Sequence, residues 1–310
     1  MSERQYLRKA TLVLVEGDKA LDLSEFHFQF NTVQQDVESP NNCTIRVYNL
    51  SESTVRQVRG EFSRVILQAG YDGNYGVIFD GTIRQFRIGR VNATDKYLDI
   101  LAADGDLAYN WGVVRKTVAA GSTPDSRIKA AIDAMAPHGV TAGYLMPFTG
   151  GVLPRGKVLF GMARAVLREE AENQLATWDI SGGKVNFVAR EHYLPGITVK
   201  LNALTGMVGR PEQTNEGIRV KSLLNPRVRL GGLLEINNAS INQTVNQNPN
   251  APPGPAFNQY SGVQLLATVT NDGLYRVFVI EHDGDTRGTA WHTNMVCLAV
   301  DTDSKKVRAP

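Results

Sequence analysis

Two imidazoles and three carboxylates crowd one stretch near the C-terminus, YRVFVIEHDGDTRGTAWHTNMVCLAV. His282, Asp283, Asp285 and His292 are of the types that hold a divalent cation. The spacing argues against that use. Asp283-Gly284-Asp285 lacks the further oxygens that a calcium loop sets at its first, third, fifth and twelfth positions. It reads instead as turn chemistry, with Gly284 free to take positive φ and Asp285 placed to accept from nearby backbone N–H groups. Trp291 then covers the end of a barrel.

Glu169 and Glu170 are the other pair to weigh, as the two carboxylates of a glycan hydrolase. Neighbours on a helix diverge by about 100°, and Arg164, Arg168 and Glu172 surround them, so they read as a solvated charged face. The remaining histidines are scattered. His27 lies opposite three phenylalanines as a surface or interface strand residue, His138 sits between Pro137 and Gly139 at a helix end, and His192 closes a strand. The chain contains no GxxxxGK[ST], strand-linked GxGxxG, HExxH, GxSxG or CxxC. No catalytic, cofactor-binding or metal-ligating residue is therefore assigned, and neither enzymatic activity nor a cofactor is expected.

The elements that would position any site come next. At 310 residues the chain is long enough for two or three units. Hydrophobic residues at 42% and charged residues at 21% are the balance of a folded globular protein. The net charge of +2 is spread without a basic patch, which argues against a nucleic-acid binder. Apolar runs stay far below the ~20 residues of a membrane span, and the N-terminus lacks a signal-peptide core, so synthesis in the cytoplasm without a membrane anchor is expected. Cys43 and Cys297, both in strand patterns, are expected to be reduced core thiols. Trp111, Trp178 and Trp291 each lie in or beside an apolar run and are expected in the core.

Period-two alternation dominates residues 1 to 110. It appears in SEFHFQF, where Phe26, Phe28 and Phe30 share a face, and again in CTIRVYNL, RVILQAGYDG, GVIFDGTIRQFRIG and YLDILAAD. A short helix fits SESTVRQVRG, capped by Ser51 and stopped by Gly60. Between 111 and 200 the period changes. Thr123 caps a helix with Pro124 at its first position and Ile128, Ile132 and Met135 on its buried side. GKVLFGMARAVLREEAENQLA predicts a second helix that buries Leu159, Met162, Ala163 and Val166, and Gly182-Gly183 turns a hairpin in TWDISGGKVNFVARE. From 201 to 310 strands return, with a hairpin turn at Asn271-Asp272-Gly273 and a long mobile loop at 237 to 260, rich in Asn and Pro. The expected fold is mainly β: two antiparallel β modules flanking an α+β middle region.

These strands carry a resemblance. NEGIRVKSLLNPRVRLGGLLEI followed by GLYRVFVIEHDGDTRGTAWHT is similar to the C-terminal β module of baseplate hub proteins from contractile-tailed bacteriophages. The matching residues are Leu223, Leu224, Pro226, Gly231, Tyr275, Arg276, Val277, His282, Gly284, Asp285, Gly288 and Trp291. SPNNCTIRVYNLSESTV, with Asn49-Leu50-Ser51 ahead of a short helix and a strand ending at Gly70-Tyr71, resembles the opening of phage hub and tail proteins. The likeness spans roughly residues 10 to 105 and 157 to 300.

The resemblance implies two tail-tube-like barrels, at 1–110 and 201–310, around a middle region at 111–200. It also implies a homotrimer that joins the six-fold tail tube, or a tube-initiator protein, to a three-fold central spike. A tape-measure protein in the lumen is a further implied partner, and the implied location is the virion baseplate. A tail-tip peptidoglycan hydrolase and a glycan-binding β module stand as alternatives.

Overall fold

A computed structural model of the chain describes residues 6–148, 150–214, 217–236, 273–301 and 306–307. The first unit contains β1 (Tyr6–Glu16), β2 (Lys19–Asp22), β3 (Phe28–Gln35), β4 (Asn42–Tyr48), α1 (Glu52–Glu61), β5 (Arg64–Asp72), β6 (Asn74–Arg90) and β7 (Lys96–Ala103). Alternation decides its interior. Leu12 and Leu14 of β1, Phe28 and Phe30 of β3, Ile45 and Val47 of β4, Val65 and Leu67 of β5, and Leu98 and Ile100 of β7 enter one apolar core, so the sheet curls around it. Helix α1 starts where Ser51 accepts from the Thr54 backbone N–H at 3.1 Å, and it buries Val58 in the same core.

The middle region contains α2 (Asp106–Trp111), β8 (Val113–Val118), α3 (Pro124–Met135), β9 (Thr141–Leu145), β10 (Lys157–Met162), α4 (Ala163–Asn173), β11 (Ala176–Ser181) and β12 (Lys184–Ala189). Thr123 caps α3, and Ile128, Ile132 and Met135 are buried with Leu167, Trp178 and Phe187 in a second core. Gly182 and Gly183, at φ 61° and 69°, turn the β11–β12 hairpin through left-handed backbone that glycine adopts without strain. The second predicted helix is only half helix. Residues 157–162 form β10, because Val158, Leu159 and Phe160 alternate outward, inward, outward while pairing with β8, and the helix begins at Ala163.

The third unit contains β13 (Val199–Leu201), β14 (Glu212–Thr214), β15 (Gly217–Leu223), β16 (Leu233–Ile236), β17 (Leu274–Asp285), β18 (Trp291–Asp301) and β19 (Lys306–Val307). Its core gathers Ile218, Val220, Leu234, Tyr275, Val277, Ile280, Met295 and Cys297. The turn expected at 271–273 and the loop at 237–260 lie, apart from Gly273, outside the described residues. Cys43 and Cys297 are free and buried in separate cores, as expected of reduced thiols.

The fold is mainly β, and among the described residues three of its four α-helices lie in the middle region. The two β units also share a sheet that runs β14-β15-β18-β17-β3-β4-β7-β6-β5-β1-β2. The joint is β3 against β17, antiparallel from Gln29–Asp285 to Gln35–Val279. The tip of the β17–β18 hairpin then reaches across to the other side of the first unit. There Arg8 of β1 donates to the carbonyls of Gly288 and Thr289 at 2.8 and 3.2 Å. The indole N–H of Trp291 donates to the Gly70 carbonyl of β5 at 3.2 Å. Trp291, expected to cover the end of a barrel, is instead buried among first-unit residues, edge-on to Phe30 with ring centroids 5.5 Å apart.

Candidate assembly surfaces

The polar stretch near the C-terminus splits by strand period. His282 points inward and is 2% exposed, with Nδ1 2.9 Å from the Thr293 hydroxyl. Burial holds this imidazole down to about 4, so it is neutral at physiological pH. Glu281, Asp283 and Asp285 fall on the opposite face. Their partners are amides and one imidazole: Asn31 donates to Glu281 and Asp283 at 2.8 and 2.6 Å, Asn294 to Asp283 at 2.9 Å, Gln29 to Asp285 at 2.8 Å, and His27 Nε2 to Asp285 at 2.8 Å. His27, immediately before β3 and stacked on Tyr48 at 4.4 Å, therefore bridges the two units. Among the described residues no three His, Cys, Asp or Glu side chains converge on a metal position.

Asp285 does the turn chemistry expected of it, accepting from the backbone N–H groups of Arg287 at 2.9 Å and Gly288 at 2.7 Å. Gly284 does not. It sits in β17 without positive φ, and a Cβ there would come 2.1 Å from Phe30, so close approach of the β3 ring requires glycine. Partial burial raises the Asp285 carboxyl, and the bonds from Gln29, Arg287, His27 and Gly288 outweigh it, giving about 2. A carboxylate depressed from the ordinary value stabilises the fold above that value and loses the contribution as pH falls through 2. Asp285→Ala is expected to cost about 2 kcal/mol at pH 7. In urea denaturation followed across pH, this deficit shrinks toward pH 2.

Three buried polar contacts bind the units together. Arg276 of β17 pairs with Asp36, just past β3, and donates to the Arg190 carbonyl at 3.1 Å; both partners are nearly fully buried. Asp104, following β7, accepts from the backbone N–H groups of Gly182 and Gly183 in the β11–β12 turn at 2.5 and 3.0 Å, and burial pushes its carboxyl up to about 7. Asn41 donates to the Ile180 carbonyl at 2.8 Å. Within the middle region, Glu170 departs from the solvated face expected of it. It is buried in a two-point pair with Arg127 at 2.6 and 2.8 Å, while Glu169, one step around the helix, faces solvent and pairs with Lys157. The sequence hint for Arg276 was an arginine inside the apolar run YRVFV; Asp36 and Arg127 carried none.

The outer surface has apolar faces of its own. β8 and β10 form a two-stranded ribbon whose inner residues Val114, Val118 and Leu159 enter the middle core. Its outer face exposes Val113, Val158 and Phe160, the last at 76%. Trp111, two residues before Val113, is 67% exposed, contrary to the core position expected of it: α2 ends there and turns the indole away from Ala108, its one buried residue. Trp178 and Trp291 are buried as expected. Exposed apolar residues grouped on one face, here beside Arg115 and Thr117, are a feature of interaction surfaces.

Residues 189–249 match the sequence model of the family described as baseplate hub gp41. The match spans 61 of the chain's 310 residues. No curated protein matches the chain in sequence. Among solved structures, the 43 kDa tail protein of prophage MuSo2 from Shewanella oneidensis is similar at a TM-score of 0.57 and 8% identity, over 96% of this chain and 100% of that one. A tail protein from Neisseria meningitidis is similar at 0.57 and 10%, over 94% and 96%. An E. coli component of the type VI secretion system, itself described as similar to the T4 tail proteins gp27 and gp5, reaches 0.54 at 7%, over 92% and 76%. At such identities the likeness is one of fold.

The described part of the matched segment, residues 189–214 and 217–236, runs through the junction. It supplies the Arg190 carbonyl to Arg276 and places Leu224 in the first-unit core. It also sets Asn225 between Asn74 of the first unit, which donates to its side chain at 3.1 Å, and Thr293 of β18, whose hydroxyl accepts from its backbone N–H at 3.0 Å. The leucine-leucine-x-proline step, Leu223 to Pro226, is thus where the matched segment fastens one β unit to the other.

Proposed function

We propose that this chain is the structural hub of a contractile phage tail, assembling as a homotrimer that joins the six-fold tail tube to the three-fold central spike. The observation that carries the reading is the pair of antiparallel β units held in one sheet by β3 and β17 and clamped by Arg276 and Trp291. Two β units fixed to each other in one chain give six such units in three chains, which matches a six-fold ring above while keeping three-fold identity below. In this reading residues 1–110 and 201–310 are the tube-like modules and 111–200 the middle region. The partners are the tube or tube-initiator protein, the central spike and a tape-measure protein, and the protein resides in the virion.

The role is mechanical rather than catalytic. Glu169 and Glu170 are engaged by Lys157 and Arg127, and the acidic residues of β17 are taken up by side-chain amides and His27. Exposed Trp111 is joined on the ribbon face by Val113, Val158 and Phe160, with Arg115 opposite Phe160 and Thr117 opposite Val158, so the face is mainly apolar with two polar side chains among it. Such a face suits a protein neighbour, and in the trimer it lies against the adjacent copy. Mass photometry of the purified chain tests this. Trimers are expected, and Phe160→Asp combined with Trp111→Asp should convert them to monomers with an unchanged melting temperature. A chain that stays monomeric when mixed with its tube and spike proteins overturns the reading.

A further inference from the structure

The first-unit core does not close at one rim. Ile88 of β6 lies directly opposite Leu98 of β7, so the two side chains share a face of the sheet. Leu98 is 1% exposed in the core, whereas Ile88 on the neighbouring strand is 54% exposed. The space beside it is a groove of about 480 Å³ between α1 and the β6–β7 hairpin, with Leu50, Val55 and Leu98 continuing its apolar floor.

The walls of this groove are cationic. Arg56 and Arg59 project from α1 and Arg90 from the end of β6. Among the described residues none of the three has a carboxylate or hydrogen-bond partner. The groove's other charges, Lys96 and Glu52, neutralise each other at 3.2 Å. Elsewhere arginines do meet carboxylates: Arg46 with Asp99, Arg64 with Asp80, Arg84 with Asp106 and Arg168 with Glu38. An apolar floor flanked by three unpaired guanidiniums is complementary to a segment with apolar side chains on one face and carboxylates along its edges.

We propose that the groove between α1 and the β6–β7 hairpin is a docking site for an acidic amphipathic segment of a protein partner, with apolar side chains covering Ile88 and Val55 and carboxylates pairing with Arg56, Arg59 and Arg90. The inference stands on this rim alone and does not depend on how many copies assemble.

Fluorescence anisotropy on the full chain tests it. The probes are a labelled 14-residue peptide with leucines on one helical face and glutamates beside them, a scramble of the same composition, and a version with lysine for glutamate. The patterned acidic peptide is expected to bind at least tenfold more tightly than either control, and to weaken as salt rises. Arg56→Glu with Arg59→Glu should weaken binding at least tenfold, as should Ile88→Glu separately, and Arg56→Lys with Arg59→Lys should retain most of it. Unchanged melting temperatures show that the exposed substitutions leave the fold intact. Equal binding of patterned and scrambled peptides, or indifference to the charge reversal, overturns the proposal. Arginine-dependent binding to phosphatidylglycerol vesicles without binding of the peptide overturns it in favour of a lipid ligand.

Discussion

Replacing Arg276 with alanine is expected to destabilise the protein by about 3–5 kcal/mol, the cost of leaving a buried carboxylate without its counter-ion. Asp36 and Arg276 are 5% and 3% exposed, so water cannot take over when one partner is removed. The guanidinium also donates to the Arg190 carbonyl and reaches the Thr177 hydroxyl at 3.4 Å, so one side chain of the third unit engages both other regions. Its loss should therefore loosen the joint as well as lower the midpoint. Hydrogen exchange is expected to rise along β3 and β17 before it rises in β4 or β7. The paired replacement Arg276→Met with Asp36→Leu removes both charges and keeps apolar volume. It should recover most of the lost stability, which chemical denaturation of the three variants measures.

Trp291→Ala is expected to cost a similar amount, about 3–5 kcal/mol for a large buried aromatic truncated in a packed core. The indole is 1% exposed, edge-on to Phe30, and bonded to the Gly70 carbonyl. This residue of the third unit packs in the core of the first. The cavity it leaves therefore opens at the seam, and the Gly70 carbonyl loses its partner. Trp291→Phe restores most of the volume without the N–H and should recover roughly half of the loss. Near-equal melting temperatures for all three forms would mean that the hairpin tip is not holding the first unit closed.

What the sequence revealed depended on the range of each interaction. Local signals were readable: the alternating Phe28 and Phe30, the Thr123-Pro124 helix start and the Gly182-Gly183 turn each sit where their chemistry predicts. The strand at 157–162 was misread as helix because VLF beside an amphipathic helix fits both periods, and only pairing with β8, some forty residues upstream, decides it. The register of β3 with β17 joins residues about 250 positions apart, and no local pattern encodes such a partner. Asp36 carries no signal in the sequence and Glu170 reads as a surface residue, since burial beside a distant arginine leaves no periodic trace. The turn acids were legible as turn chemistry at Asp285. The inward position of His282 was not, because the sequence reads a turn there and the strand instead continues to Asp285.

The most direct test of the hub account is a cryo-electron microscopy reconstruction of the chain bound to its tail tube and spike proteins. The account predicts three copies around one axis, with the 1–110 and 201–310 units alternating in a ring of six against the tube and the spike held on the three-fold side. A reconstruction with a different copy number, or one in which only one β unit of each chain meets the tube, contradicts it.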